Sequence, residues 1–165
     1  MRTTKYVVMV ITACVIANLS TNGQSKPNVA TPSPEAVVAE LYKQHNKATP
    51  LFQTRSRALL DKFFDKQLAD LLWKDANTSR DEVGPLNGDP LYNAQDMDIK
   101  DFTIGKGVLS NGSAHVKVSF TNFDRKEEIR FDLSLSKTGW KVSNLTYLDG
   151  TTLTGILKED SPSGH

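Results

Sequence analysis

Residues 114–120 read Ala-His-Val-Lys-Val-Ser-Phe, and residues 129–135 read Ile-Arg-Phe-Asp-Leu-Ser-Leu. In both stretches apolar and polar side chains alternate, which is the period of a β-strand with one buried face. The turn-forming region between them, near 122–126, is short enough to join two antiparallel neighbours. The two stretches therefore predict the centre of an antiparallel sheet whose apolar face must be covered.

The predicted sheet extends by one strand on each side of this pair. Ser110-Asn111-Gly112-Ser113 contains the Asn-Gly signal of a tight hairpin, and the segment 99–104 before it predicts a strand with one bulge. After the turn Lys137-Thr138-Gly139, residues 140–148 predict a fourth strand.

Helical patterns precede the strands. Ser33 is a candidate N-cap, Pro34 suits the first helical position, and apolar residues then recur at helical spacing to about residue 47. An apolar stripe over 59–72 predicts a second helical region, in which Asp65 caps a fresh helix over 66–75 after a kink. Three helical segments followed by four strands predict an α+β fold, with the helices packed on a curved four-stranded antiparallel sheet.

The N-terminus has the layout of an export signal. Arg2 and Lys5 precede an apolar run over 6–17, about twelve residues long and too short for a permanent membrane span. We therefore expect a signal peptide over 1–19, a flexible linker over 20–33, one folded domain over 34–157 and a disordered tail over 158–165. The expected location is the periplasm or the envelope membrane.

Cys14 leaves three fates of the signal open. Ile11-Thr12-Ala13-Cys14 matches a lipobox, in which Cys14 would carry the lipid that anchors the mature chain to the membrane. The apolar run continues past Cys14, however, and this favours ordinary cleavage near 20–25 and an unanchored product. An uncleaved anchor is the third alternative.

Composition limits the partner classes. The formal net charge is +1 for the whole chain and becomes −1 when Arg2 and Lys5 are removed, so no basic stripe indicates nucleic-acid binding. Cys14 is the only cysteine, which excludes an intramolecular disulfide.

The order of elements resembles the NTF2-like cone superfamily, and within it the bacterial exported domains called DUF3828, a family of unknown function. The resemblance covers about 34–155 and implies the cone fold, but it implies no catalytic residues. It is carried by Pro34-Glu35-Ala36-Val37, Leu59-Leu60-Asp61-Lys62-Phe63-Phe64, Gly88-Asp89-Pro90-Leu91, Ala94-Gln95-Asp96 and Trp140-Lys141-Val142 with Tyr147.

The long loop over 80–96 holds most of the candidate site residues. Asp89, Gln95 and Asp96 would contact a ligand at the open end of a cone, or would hydrogen-bond their own loop, as Asx residues in turns do. A catalytic role would require a carboxylate whose pKa is raised by partial burial, which Asp89 or Asp96 could supply with His115 or Tyr42 nearby. Tyr92 and Phe52, which are aromatic residues in loops, are candidates for an interface.

No motif for metal, cofactor or nucleophilic chemistry is present in the sequence. The three histidines are unpaired, and no cluster has metal-ligand spacing. We therefore predict neither a cofactor nor a metal, and name no catalytic residue. His115, on the polar face of its strand, remains a ligand candidate, whereas His45 suits the core.

These observations favour an exported, non-enzymatic binding domain whose partner is an unknown protein or small molecule. The alternative is a small NTF2-like isomerase or hydrolase that uses a cavity carboxylate. A structural envelope protein, dimeric through its sheet, is a third reading. An inhibitory or immunity-type role belongs to the first class, although no residue selects it.

Overall fold

The computed structural model describes residues 31–47, 56–78, 86 and 88–159, all within one compact unit, Thr31–His165. The predicted signal peptide, Cys14, most of the predicted linker, Phe52 and the end of the predicted tail therefore lie outside the described residues. In this part of the chain, no helix has the length and apolar content needed to span a membrane.

The fold is α+β, as predicted. Three helices come first: α1 (Pro34–His45), α2 (Arg57–Phe63) and α3 (Lys66–Thr78). Five strands follow, and a last helix, α4 (Leu153–Glu159), ends the described chain. The strands are β1 (Ile99–Ile104), β2 (Val108–Ser110), β3 (Ser113–Asn122), β4 (Arg125–Ser136) and β5 (Gly139–Tyr147).

The helix starts follow the predicted caps. The Ser33 side chain accepts the Ala36 N–H at 3.4 Å, and Asp65 Oδ1 accepts the Leu68 N–H at 2.8 Å. Each bond satisfies a donor that the first helical turn leaves without a partner. α2 begins in the same way, with Ser56 Oγ accepting the Leu59 N–H at 3.3 Å.

All strands belong to one open antiparallel sheet with the order β1-β3-β4-β5, and β2 lies beside β3 beyond the end of β1. The alternating side chains of β3 and β4 place their apolar members on one face, where they form the core with the helices. Fully buried members of this core include Leu41, Leu68, Val116, Phe131 and Leu145.

Two elements go beyond the sequence prediction. β2 has only three residues after a glycine-flanked segment, so alternation could not distinguish it from the turn. α4 has only seven residues, including Gly155, so its apolar pattern is too short to predict a helix. It is buried through Leu153 and Leu157 and extends to Glu159, two residues past the predicted domain limit.

Candidate functional site

The loop that leads into β1 closes on itself at Asp89. The Asp89 N–H donates to the Ala94 carbonyl at 2.7 Å, and Asp89 Oδ1 accepts the Leu91 N–H at 2.9 Å. Gly88 precedes this turn at φ +126°, a conformation that an L side chain rarely adopts. Residues 88–94, called the clamp loop below, therefore have a defined shape of their own.

Side chains from α1 and β5 fasten the clamp loop to the core. The Tyr42 hydroxyl donates to the Leu91 carbonyl at 2.7 Å, and the Tyr147 hydroxyl donates to the Pro90 carbonyl at 3.2 Å. The Tyr92 hydroxyl is 2.9 Å from Asn46 Nδ2. Two of these bonds come from α1 and its C-cap and one comes from β5, so the loop is held from two sides.

Burial raises the pKa of the tyrosine hydroxyls that hold the clamp loop. It raises the pKa of Tyr42, and the neighbouring Tyr92 and Asp89 raise it further. Burial likewise raises the pKa of Tyr147, with the Asp89 carboxylate as the next contribution. A phenol kept neutral remains a hydrogen-bond donor, as the carbonyls of the loop require.

His45 and Asp89 form a buried pair beneath the clamp loop. His45 Nε2 lies 2.5 Å from Asp89 Oδ2, and 3% of the His45 side chain and 11% of the Asp89 side chain are accessible. Both carboxylate oxygens of Asp89 are therefore engaged, one by its own loop and one by α1. This arrangement suits a structural fastening, because each carboxylate oxygen already has a partner within the protein.

A groove of about 630 Å³ lies beside the clamp loop, where the loop meets the β3–β4 hairpin. Asn122, at the end of β3, is buried and joins the two sides: its Oδ1 accepts the Asp98 N–H at 2.8 Å, and its Nδ2 donates to the Asp96 carbonyl at 3.1 Å. The groove is lined by Asn93, Ala94, Gln95, Asp96, Asn122, Phe123 and Arg125.

The β3–β4 turn carries an unusual residue at the rim of this groove. Phe123 and Asp124 connect the paired residues Asn122 and Arg125, and both adopt positive φ angles, +45° and +65°. Turns of this kind favour Asn-Gly, because a bulky side chain at positive φ is strained. Phe123 is nevertheless 59% exposed, so core packing does not account for its ring.

Exposed apolar side chains gather at this end of the sheet. Met97 precedes β1, Phe123 follows β3 and Leu148 follows β5, and the antiparallel pairing places these positions at the same end of the sheet. Arg125 forms two hydrogen bonds with the buried Glu127, at 2.7 and 3.0 Å. We call this surface, comprising the groove with Met97 and Leu148, the loop end.

The structure brings together four of the five predicted site residues. Gln95 and Asp96 line the groove, whereas Asp89 and Tyr92 belong to the clamp loop that supports it. His115 lies elsewhere, on the sheet face opposite the core, where its Nδ1 is 2.7 Å from Asp132 Oδ1.

Of the two residues offered as neighbours of Asp89 or Asp96, His115 is therefore not close to the loop. His115 pairs with Asp132, seven residues along β3 from Asn122, which corresponds to about 20 Å of strand. Tyr42, the other expected neighbour, does contact the loop.

Three residues of the groove were not predicted from the sequence: Asn122, Phe123 and Arg125. The sequence did contain one signal for them: Phe-Asp stands in a two-residue turn between two alternating strands, where Asn-Gly is usual. Within the described ranges, no three residues among His, Cys, Asp and Glu are arranged to hold a metal ion.

Comparisons with known proteins relate the chain to others by fold alone. No family model matches the sequence, and no curated protein matches it. A chain from the type VI effector–immunity complex Tae3–Tai3 of Ralstonia pickettii aligns with a TM-score of 0.54 and 18% identity, covering 70% of this chain and 95% of that chain.

A second solved structure is a phospholipid-binding protein from Ralstonia solanacearum, in complex with a phospholipid. It aligns with a TM-score of 0.47 and 13% identity, covering 78% of this chain and 84% of that chain.

Proposed function

We propose that this chain is an exported, non-enzymatic binding domain that recognises a protein partner through the loop end. The observation that carries the proposal is Phe123, an aromatic side chain held in solvent by a turn with two positive φ angles beside a groove. Such a conformation costs about 1–3 kcal/mol per residue and persists where the surrounding structure imposes it, often at functional sites.

The surroundings of Phe123 suit a protein interface. Aromatic side chains supply much of the binding energy at interfaces, and polar groups around them form a rim. Here Asn93, Asp96 and Arg125 line the same groove as the exposed Phe123 ring. The clamp loop is fastened by buried side chains before any partner arrives, which lowers the entropic cost of association.

The structural similarity supports a protein rather than a small molecule as the partner. The Ralstonia pickettii chain belongs to a complex of two proteins, and it shares the fold over 95% of its length. Inhibition of an effector-like envelope enzyme is the specific form of binding that this similarity favours.

Family, export and anchoring complete the proposal. We assign the domain to the NTF2-like superfamily as a DUF3828-type member on the residues that resemble it, and place it in the periplasm or on the envelope membrane. Cys14 is the proposed lipid-attachment residue. Mass spectrometry of the denatured protein tests this: a diacyl- or triacyl-modified chain that begins at Cys14 supports anchoring, whereas an unmodified start between residues 20 and 26 contradicts it.

Photo-crosslinking tests the proposed surface. Benzoylphenylalanine replaces Phe123 in cells that produce the protein, and Lys137, in the β4–β5 turn at the opposite end of the sheet, is replaced as the control. We expect position 123, but not position 137, to form an adduct with one protein, which mass spectrometry identifies.

The identified protein is then purified and titrated by calorimetry. We expect Phe123→Ala to weaken its binding about 30-fold or more, as truncation of a hot-spot residue does. Lys137→Ala should leave the affinity unchanged. The absence of an adduct at position 123, or unchanged affinity of Phe123→Ala, would overturn the proposal.

A further inference from the structure

Two turns lie side by side at the end of the sheet opposite the loop end. Asn111-Gly112 joins β2 to β3, and Lys137-Thr138 joins β4 to β5. The Leu135 N–H donates to the Gly112 carbonyl at 2.8 Å, so the two turns are neighbours. We call this surface the hairpin end; it comprises both turns with Val108, Leu109, Leu135 and Trp140.

Apolar side chains are exposed at the hairpin end. Val108, Leu109 and Leu135 are 67%, 64% and 52% exposed. Leu109 lies opposite Ala114, and Leu135 lies two residues beyond Leu133, so both leucines share the sheet face that forms the core. The apolar face of the sheet therefore continues beyond the part that the helices cover.

The segments that form the hairpin end carry positive charge. Residues 102–116 and 133–141 contain Lys106, Lys137 and Lys141 but no Asp or Glu. Lys141 donates to two carbonyl groups of α2. Lys106 and Lys137 form no salt bridge with another described residue.

The loop end has the opposite charge. Residues 96–101, 122–127 and 148–150 contain six Asp or Glu and three Lys or Arg. Carboxylates close to the hairpin end are engaged within the protein: Glu35 accepts the Gly107 N–H at 3.2 Å, and Asp132 accepts from Arg130 at 3.1 Å. The two ends of the sheet thus both expose apolar side chains but differ in the sign of their charge.

The described chain begins at the hairpin end. Thr31 is its first residue, and a Cβ atom at Gly139 would lie 3.5 Å from Thr31 Cγ2. Sixteen residues, 15–30, separate Thr31 from Cys14. A chain of that length spans at most about 60 Å. A lipid on Cys14 would therefore keep the hairpin end within that distance of the bilayer.

We propose that the hairpin end docks on the surface of an anionic phospholipid bilayer. Leu109 and Leu135 enter the headgroup region, and Lys106 and Lys137 meet the lipid phosphates. Burial of apolar side chains and attraction of lysines to anionic lipids are the two forces that hold a protein on such a surface. The loop end is excluded from the same surface, because its net charge has the sign of the lipids.

Docking in this orientation leaves the loop end accessible to a protein. Phe123 lies beyond the far end of β3, whose ten residues span about 33 Å. So few side chains bind a bilayer weakly, and attachment through Cys14 strengthens the contact by raising the local concentration. The inference rests on the proposed location at the envelope, but it does not depend on the proposed partner of Phe123.

An environment-sensitive dye tests the docking. The processed protein carries no free thiol, because Cys14 is either lipidated or removed with the signal, so Leu135→Cys can be labelled alone with a nitrobenzoxadiazole dye. Leu148→Cys is the matched control, since Leu148 is also exposed but lies at the loop end. The lipidated protein is reconstituted in vesicles, and an unlipidated protein is mixed with them.

We expect vesicles that contain phosphatidylglycerol to shift the emission of the dye at position 135 to shorter wavelength, and to leave the dye at position 148 unchanged. Vesicles of phosphatidylcholine alone should give a smaller shift at position 135. Leu109→Cys, labelled in the same way, gives a second reading should Leu135→Cys fail to fold.

Charge reversal tests the role of the lysines. The measured quantity is the fraction of phosphatidylglycerol that gives half of the dye response at position 135. We expect Lys137→Glu to raise this fraction about twofold or more. Lys126→Glu reverses an exposed lysine at the loop end and should leave the fraction unchanged.

Three outcomes would overturn the proposal. The first is the absence of a shift at position 135 with phosphatidylglycerol, and the second is an equal shift at positions 135 and 148. The third is a dye at position 135 whose emission is already at short wavelength without vesicles, because protein would then cover the hairpin end. The absence of a crosslink at Phe123 would instead overturn the proposed function and leave these results unaffected.

Discussion

At the scale of single residues, Phe123 combines a positive φ angle with an exposed aromatic side chain. A residue that tolerates positive φ, such as Asn or Gly, would be less strained at this position. The Phe123 ring, in turn, contributes little to the core. The turn therefore carries a conformational cost that the folded domain alone does not require.

Replacement of Phe123 by Asn should separate folding from binding. We expect Phe123→Asn to raise the free energy of unfolding by about 0.5–1 kcal/mol, because Asn adopts positive φ more readily, while it weakens partner binding through loss of the ring. Urea unfolding measures the first effect, and calorimetry with the crosslinked partner measures the second.

Phe123→Ala is the control for this pair of effects, because it removes the ring but keeps a residue that disfavours positive φ. It should weaken binding without stabilising the fold. Stabilisation by Phe123→Ala as large as that by Phe123→Asn would show that backbone strain is not the cause.

At the scale of elements, the two ends of the clamp loop, Gly88 and Ala94, lie close together, and this contact supports the groove. A Cβ atom at Gly88 would lie 2.8 Å from the Ala94 carbonyl oxygen and 2.9 Å from its carbon, both backbone atoms. Backbone so near cannot move aside without breaking the bond between Asp89 and Ala94.

Two glycine substitutions can isolate this contact. Gly88 and Gly150 both have positive φ, but a Cβ at Gly150 meets no atom within 4 Å. We expect Gly150→Ala to cost about 1 kcal/mol from backbone strain alone, and Gly88→Ala to cost about 2 kcal/mol more from the clash. Urea unfolding gives both values, and hydrogen exchange over 91–96 should accelerate only in Gly88→Ala. Equal costs would mean that the close approach is not rigid.

At the scale of the whole molecule, Tyr42 and Tyr147 make the free energy of unfolding depend on pH in the alkaline range. Burial raises the pKa of Tyr42 and Tyr147 above the ordinary value of 10.0, so the folded state keeps their protons after the unfolded state has released them. Above pH 10 the unfolded state therefore binds fewer protons, and the free energy of unfolding falls as the pH rises.

The double variant Tyr42→Phe, Tyr147→Phe should change this dependence. We expect lower stability at neutral pH, by about 1–3 kcal/mol for each hydroxyl lost, because the carbonyls of Leu91 and Pro90 lose their donors. Between pH 10 and the alkaline unfolding limit, its stability should fall less steeply than that of the parent protein. Parallel pH profiles from urea unfolding would contradict the assignment.

The parts of this fold that follow from local pattern could be predicted from the sequence. Strict alternation over 114–120 and 129–135 determined the two central strands, and Ser33 and Asp65 marked helix starts, because strand period and capping depend on neighbours along the chain. The same local logic pointed to the loop with Asp89, Gln95 and Asp96.

Tertiary structure alone decided how that loop is used. The pair of His45 with Asp89 joins residues 44 positions apart, and the hydroxyl of Tyr147 reaches Pro90 across 57. Contacts at such separations leave no trace in local periodicity, and the three-residue β2 is too short to show any. The sequence by itself therefore determined which strands and helices form, whereas packing determined that Phe123 stands exposed beside the groove and that Leu109 faces outward at a sheet edge.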